Sequence, residues 1–119
     1  IMPKLLSGLI TLTLAPSLFA TNFICTNPDA TREYRTWLDA ANKGRIDIYE
    51  QGTLISAIDN LEVKRESQGS APSSTLYRFG AEGDFFIEIT EVEDGSITAK
   101  YLETEGLTCK RNPDTARDI

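Results

Sequence analysis

Residues 85–102 read FFIEITEVEDGSITAKYL, and their period decides the class of fold. Phe85, Ile87 and Ile89 alternate with Glu88 and Thr90, a period of two that places one set of side chains on each face of a strand. Glu93-Asp94-Gly95 then supplies a hairpin turn, because glycine accepts the positive φ that such a turn requires. Ser96–Leu102 returns with Ile97, Ala99 and Tyr101 on the apolar face, and Lys100 is placed to meet Glu88 across the pair.

The same grammar extends outward in both directions. Upstream, Arg45–Tyr49 alternates and Gln51-Gly52 turns into Thr53–Ile58. Asp59-Asn60 then leads to Leu61–Arg65. Residues 67–74 form the longest loop, small and polar throughout. Thr75–Phe79 follows, and Ala81-Glu82-Gly83-Asp84 turns into the central strand. Downstream, Thr104-Glu105-Gly106 turns the chain into a last strand, Leu107–Lys110, and Asn112–Ile119 reads as a frayed tail. Short alternating segments at this spacing predict an all-β domain, a small antiparallel barrel or sandwich.

One stretch reads two ways. As a helix, residues 28–43 have Pro28 in the first turn, Tyr34, Trp37, Leu38 and Ala41 at helical spacing, and Gly44 as terminator. As a strand, Glu33–Asp39 is rich in Thr, Tyr and Trp and feeds a hairpin through Asn42-Lys43-Gly44. The strand reading is preferred, because it continues directly into Arg45–Tyr49 and completes a closed sheet.

Residues 1–20 have the order of a secretory signal peptide. Met2-Pro3-Lys4 carries one positive charge, Leu5–Leu14 is an apolar core, and residues 15–20 end in Ala20 after a proline breaker. This ten-residue core, interrupted by Ser7, Gly8, Thr11 and Thr13, is about half the ~20 residues that a membrane-spanning helix needs. Cleavage after Ala20 gives three regions: a leader over 1–20, a single domain over 21–111 and a tail over 112–119. The expected location is periplasmic or extracellular, with no membrane insertion once the leader is removed.

Lys4 is the one charged leader residue, so the 12 basic and 18 acidic residues of the chain leave a net charge of −7 after cleavage. Such a surface repels phosphate backbones and favours basic or neutral partners, so nucleic acid is not expected as a partner. The chain is expected to be a monomer. Two cysteines, Cys25 and Cys109, stand near the ends of the domain, and in an exported protein they read as a disulfide. On the chain-entropy view, closing a loop of that length contributes ~4–5 kcal/mol, a large share for a domain of this size.

The sequence contains no histidine, which removes Ser-His-Asp and Cys-His sets and the commonest transition-metal ligand. Glu88, Glu91, Glu93 and Asp94 read as a solvated face and turn rather than as the acid–base pair of a hydrolase. Residues 91–95 offer oxygen ligands without the spacing of a dedicated calcium loop. No catalytic activity, metal or cofactor is expected. Trp37 and Tyr34 are candidates for a ligand pocket or, more simply, for the core.

From Ser73 to Cys109 the chain resembles the periplasmic inhibitors of C-type lysozyme, small disulfide-closed β-barrels. The features are the loop Ser73-Ser74-Thr75-Leu76-Tyr77, the turn at Gly83, the aromatic strand start Phe85-Phe86 and the ending Leu107-Thr108-Cys109. The resemblance implies that a loop serine, here Ser73 or Ser74, enters the cleft of a basic enzyme beside Tyr77. In two respects the chain departs from that pattern. Thr90-Glu91 stands where a lysine is expected, and the Ser-Gly pair of the loop is missing. The function read from the sequence is therefore a protein-binding or inhibitor module, with an envelope β-barrel of structural or small-ligand role as the alternative.

Export and cleavage predict an intact mass beginning at Thr21 for the protein recovered outside the cytoplasm. An unprocessed chain retained in the cytoplasm contradicts the signal-peptide reading.

Overall fold

Eight strands form one antiparallel sheet that closes on itself in chain order. The computed structural model describes residues 22–38, 43–69 and 72–113. The expected leader, its cleavage site and residues 114–119 lie outside the described residues. The strands are β1 (Phe23–Thr26), β2 (Arg32–Leu38), β3 (Gly44–Glu50), β4 (Thr53–Gln68), β5 (Ser74–Ala81), β6 (Asp84–Val92), β7 (Ile97–Tyr101) and β8 (Thr104–Arg111). The barrel and its disulfide agree with the sequence reading. Over residues 28–43 the strand reading holds and the helix does not: Arg32–Leu38 is β2, and no helix occurs among the described residues. Asp39–Asn42, part of the turn expected there, lies outside them.

Inward residues are those that alternation assigns. Phe23, Cys25, Tyr34, Ile46, Ile48, Tyr77, Phe79, Ile87, Ile89, Leu107 and Cys109 fill the interior as one packed cluster. Each fully buried side chain of this kind contributes roughly 1.5–3 kcal/mol. The outward positions opposite one another include Arg35 and Asp47, Lys64 and Arg78, and Glu88 and Lys100. Apolar inside and charged outside is the reverse of a membrane-spanning barrel. β1 is only four residues long, yet it carries the closing ladders to both β2 and β8. Cys25 and Cys109 stand directly opposite each other in the second of these, both inward, and are bonded.

Three local departures from simple alternation matter. Between Phe79 and Gly80 the β5–β6 register slips by one residue, so Phe79 faces Ile87 while Gly80 faces Phe85. The extra residue, Phe86, packs against the core in place of Phe85. Phe85 lies on the outer face, with the Arg78 guanidinium 5.3 Å and the Lys64 ammonium 5.8 Å from its ring centre. Gly80 is required here, because a Cβ at this position would lie 2.1 Å from the Asp84 carbonyl oxygen. At Asp59-Asn60, expected to be a turn, the chain continues as one sixteen-residue strand. Asn60 adopts φ 60°, a conformation asparagine tolerates, and β4 changes partner there. Near the end, Glu105 and Gly106 are not the last turn but a bulge within β8. The turn itself is Leu102-Glu103.

Asn112 is buried, and its N–H donates to the Asn22 carbonyl at 2.9 Å, so order extends one residue past β8. Trp37 is also buried but shares a face with Glu33 and Arg35, outside the barrel. Its Nε1–H donates to Asp47 Oδ2 at 3.2 Å, and Arg45 Nε donates to Asp47 Oδ1 at 2.7 Å. Burial of Arg45 opposes its charge, but the hydrogen bond it donates to Asp47 and the carboxylates of Asp47 and Asp59 prevail and raise its pKa.

The contact at Gly80 predicts that Gly80→Ala destabilises the domain by ~1–3 kcal/mol in urea unfolding, the range of an overpacked site. A change below ~0.5 kcal/mol contradicts the bulge geometry.

Candidate functional site

The β4–β5 and β6–β7 connections meet at one end of the barrel, together with both chain ends of the described domain. Ser73 precedes β5 and lies beside the β6–β7 hairpin. Its N–H and Oγ–H both donate to Glu93 Oε1, at 2.7 and 2.5 Å. The Glu93 N–H in turn donates to the Ser73 carbonyl at 3.0 Å. Three hydrogen bonds therefore tie two hairpins into one ridge. Ser74 Oγ donates to Gln68 Oε1 at 2.9 Å, closing the base of its own hairpin. Positions 70 and 71 of the loop lie outside the described residues.

Gly95, at φ 99°, makes the β6–β7 turn. Next to it, Asp94 accepts from the Ser96 N–H at 2.9 Å and from its hydroxyl at 2.8 Å. These bonds favour the ionised carboxylate. Glu93 is held below the ordinary glutamate range first by the Ser73 hydroxyl and then by the Ser73 N–H. Asp94 is held low by the Ser96 N–H and then by its hydroxyl. Both side chains keep their charge in mildly acidic solution. A hydrolytic general acid needs the opposite shift, so the direction at Glu93 disfavours that role.

Below the ridge lies a shallow depression of about 270 Å3 lined by Ser73, Ser74, Thr75, Glu91, Glu93 and Arg111. Its base is an ion pair, with Arg111 Nε 2.9 Å from Glu91 Oε2. The Arg111 guanidinium lies 5.6 Å from the centre of the Phe23 ring, and that of Arg65 lies 5.9 Å from the Tyr77 ring. The two rings are themselves 5.0 Å apart. Two guanidiniums thus cover the apolar core at this end. Contacts of this kind are worth ~0.5–1 kcal/mol each when exposed.

Of the residues singled out from the sequence, Ser73 and Ser74 lie together at this rim. Tyr77 does not join them: it is 2% exposed and part of the core, so its ring cannot meet a partner directly. Tyr34 is likewise interior, stacked 4.7 Å from Tyr101. Arg111 is the residue that sequence reasoning missed, and Glu91 and Glu93, read from the sequence as a solvated face and turn, join it here. Glu91 has the parity of Ile87 and Ile89, and Arg111 that of Leu107 and Cys109. Both are therefore inward residues at strand ends, and an inward carboxylate there needs a cation. That signal was present, but strand pairing was needed to show that the two meet.

Compared with known proteins, the chain matches no family model, no curated protein and no solved structure.

The depressed Glu93 pKa makes the Ser73 tie pH-dependent with a definite sign. Its contribution is complete above the unfolded glutamate value (~4.3) and is lost as pH falls through the lower folded value. In an NMR titration the Ser73 amide and the Glu93 carboxyl should move together with a midpoint below the unfolded glutamate value. Ser73→Ala should bring Glu93 back toward that value. A parental midpoint at or above it contradicts the tie.

Proposed function

We propose that the protein is an exported binding module whose Ser73 ridge recognises a cationic protein. The observation that carries this reading is the reciprocal Ser73–Glu93 hydrogen bonding. It gives two hairpins one shape and presents the ionised Glu93 and Asp94 at the barrel end. A preorganised ridge loses little conformational entropy on binding, which is where flexible loops lose affinity. The net negative charge speeds encounter with a basic partner, an effect that weakens with salt. Among the described residues the interior is packed with side chains, which favours this reading over a small-ligand barrel with a central chamber.

The resemblance around Ser73–Cys109 makes a basic muramidase the first partner to test. Two features separate this ridge from the pattern that the resemblance implies. The Ser73 hydroxyl is already committed to Glu93, and Glu91, in the place of the expected lysine, is paired with Arg111. Inhibition through a serine–lysine insertion is therefore weakened, whereas electrostatic docking of the ridge is retained.

The test is complex formation and lysozyme activity with purified protein at low and moderate salt. Binding should weaken as salt rises, and Glu93→Lys should reduce affinity by about tenfold, ~1.4 kcal/mol. Ser73→Tyr should have a similar effect by filling the depression. No complex and no inhibition at micromolar protein in either buffer rejects the muramidase. Failure to bind any cationic protein in a salt-dependent way rejects the reading as a whole.

A further inference from the structure

The opposite end of the barrel has a different character. β4 pairs with β3 over residues 53–61 and with β5 only from Glu62 onward, where Glu62 faces Gly80. β5 then turns at Glu82-Gly83. The second edge of Thr53–Asp59 therefore has no ladder partner among the described residues. Thr53–Ala57 is exposed on both faces, with Leu54 at 44% and Ile55 at 49%. Residues 51–58 include no charge and no proline. Natural edge strands are usually blunted by lysine, proline, a bulge or a covering segment; among the described residues this one has no lysine, proline or covering segment, and it carries a bulge at Ile55. Leu102, 51% exposed, lies in a turn at the same end.

We propose that this edge pairs antiparallel with the same edge of a second copy of the chain, giving a two-fold dimer in place of the expected monomer. Charge selects this occupant. The chain as a whole is acidic and repels its own copies, but the carboxylates flanking the edge are compensated internally. Glu50 lies 2.6 Å from Arg32, and Asp59 lies 3.2 Å from Arg45. Self-repulsion is thereby reduced at this edge. A cationic partner finds no charge between residues 51 and 58, so it is drawn to the Ser73 end instead. With the two-fold axis between Ile55 and Ser56, Leu54 stands opposite Ala57 and Thr53 opposite Ile58. Asp59 then falls opposite Gly52 rather than opposite another carboxylate. The unpaired backbone groups of both edges are satisfied at once, and the contact is isologous, so it closes without forming fibres.

Sedimentation of the exported chain with its disulfide formed tests this directly. The mass should correspond to two chains at near-millimolar concentration and fall two-fold on dilution to micromolar. Ile55→Lys, which sets a lysine of each copy beside the two-fold axis, should remain one chain throughout while keeping its disulfide and circular dichroism. Leu102→Lys, at the same end but off the edge, should dimerise like the parent. A measurement that needs no variant is amide exchange. Residues 53–59 should slow at least tenfold in concentrated protein, while 62–68 stay unchanged. A single-chain mass at every concentration overturns the proposal. So does a dimer that survives Ile55→Lys without slowing of 53–59, or one lost in Leu102→Lys and kept in Ile55→Lys.

Discussion

The closure of the sheet between β1 and β8 is the constraint on which the rest of the molecule depends. β1 offers only four residues to each neighbour, and backbone pairing over so short a ladder is weak in isolation. Cys25 and Cys109 sit opposite each other within that ladder and bond across it. The link spans 84 residues of sequence, so it removes a large share of the unfolded chain's freedom. It also sets register: with Cys25 opposite Cys109, Phe23 must face Arg111. That places Phe23 against Tyr77 and Arg111 over Phe23, from which the guanidinium reaches Glu91. The polar rim is therefore built on the seam, although most of its residues come from other strands.

Register slips give the two ends of the barrel their different chemistry. At the Ser73 end, inward charges pair with each other above the last aromatic layer, and two hairpins are tied by Glu93. At the other end, the part of β4 before the Asn60 switch extends beyond β5, exposing an uncharged ribbon whose second edge has no ladder partner among the described residues. One long strand thus serves two ladders in succession. The polar end suits a charged partner, and the apolar edge suits a neutral strand.

Most of the architecture was legible because antiparallel strands with one face in water carry a period of two. Ile87, Ile89, Ile97 and Ala99 face inward as that period requires. The reading faltered where a single extra residue breaks the period. Phe85 and Phe86 exchange roles at a bulge whose cause is the close approach of Gly80 to Asp84, a tertiary contact with no local signature. Asp59-Asn60 has turn chemistry, yet pairing on both sides of the switch keeps it within one strand. The place of Ser73 and Ser74 beside a turn is legible because small polar loops are recognisable. Tyr77 was misplaced because its parity with Phe79, which puts it inside, was outweighed by its closeness to the loop. Glu91 and Arg111 are twenty residues apart, and their meeting depends on how the strands pair.

The measurement that bears most directly on the seam is amide exchange in the disulfide-bonded chain and in a Cys25→Ala/Cys109→Ala variant at neutral pH. If closure rests on the bridge, β1 and β8 lose protection by about 100-fold, corresponding to ~3 kcal/mol. The amides of Ser73 and Glu93 should lose protection with them, while the centre of the β5–β6 pair changes least. Equal protection of β1 and β8 in both proteins contradicts that dependence, and so does peptide mapping that recovers free thiols from the folded parent.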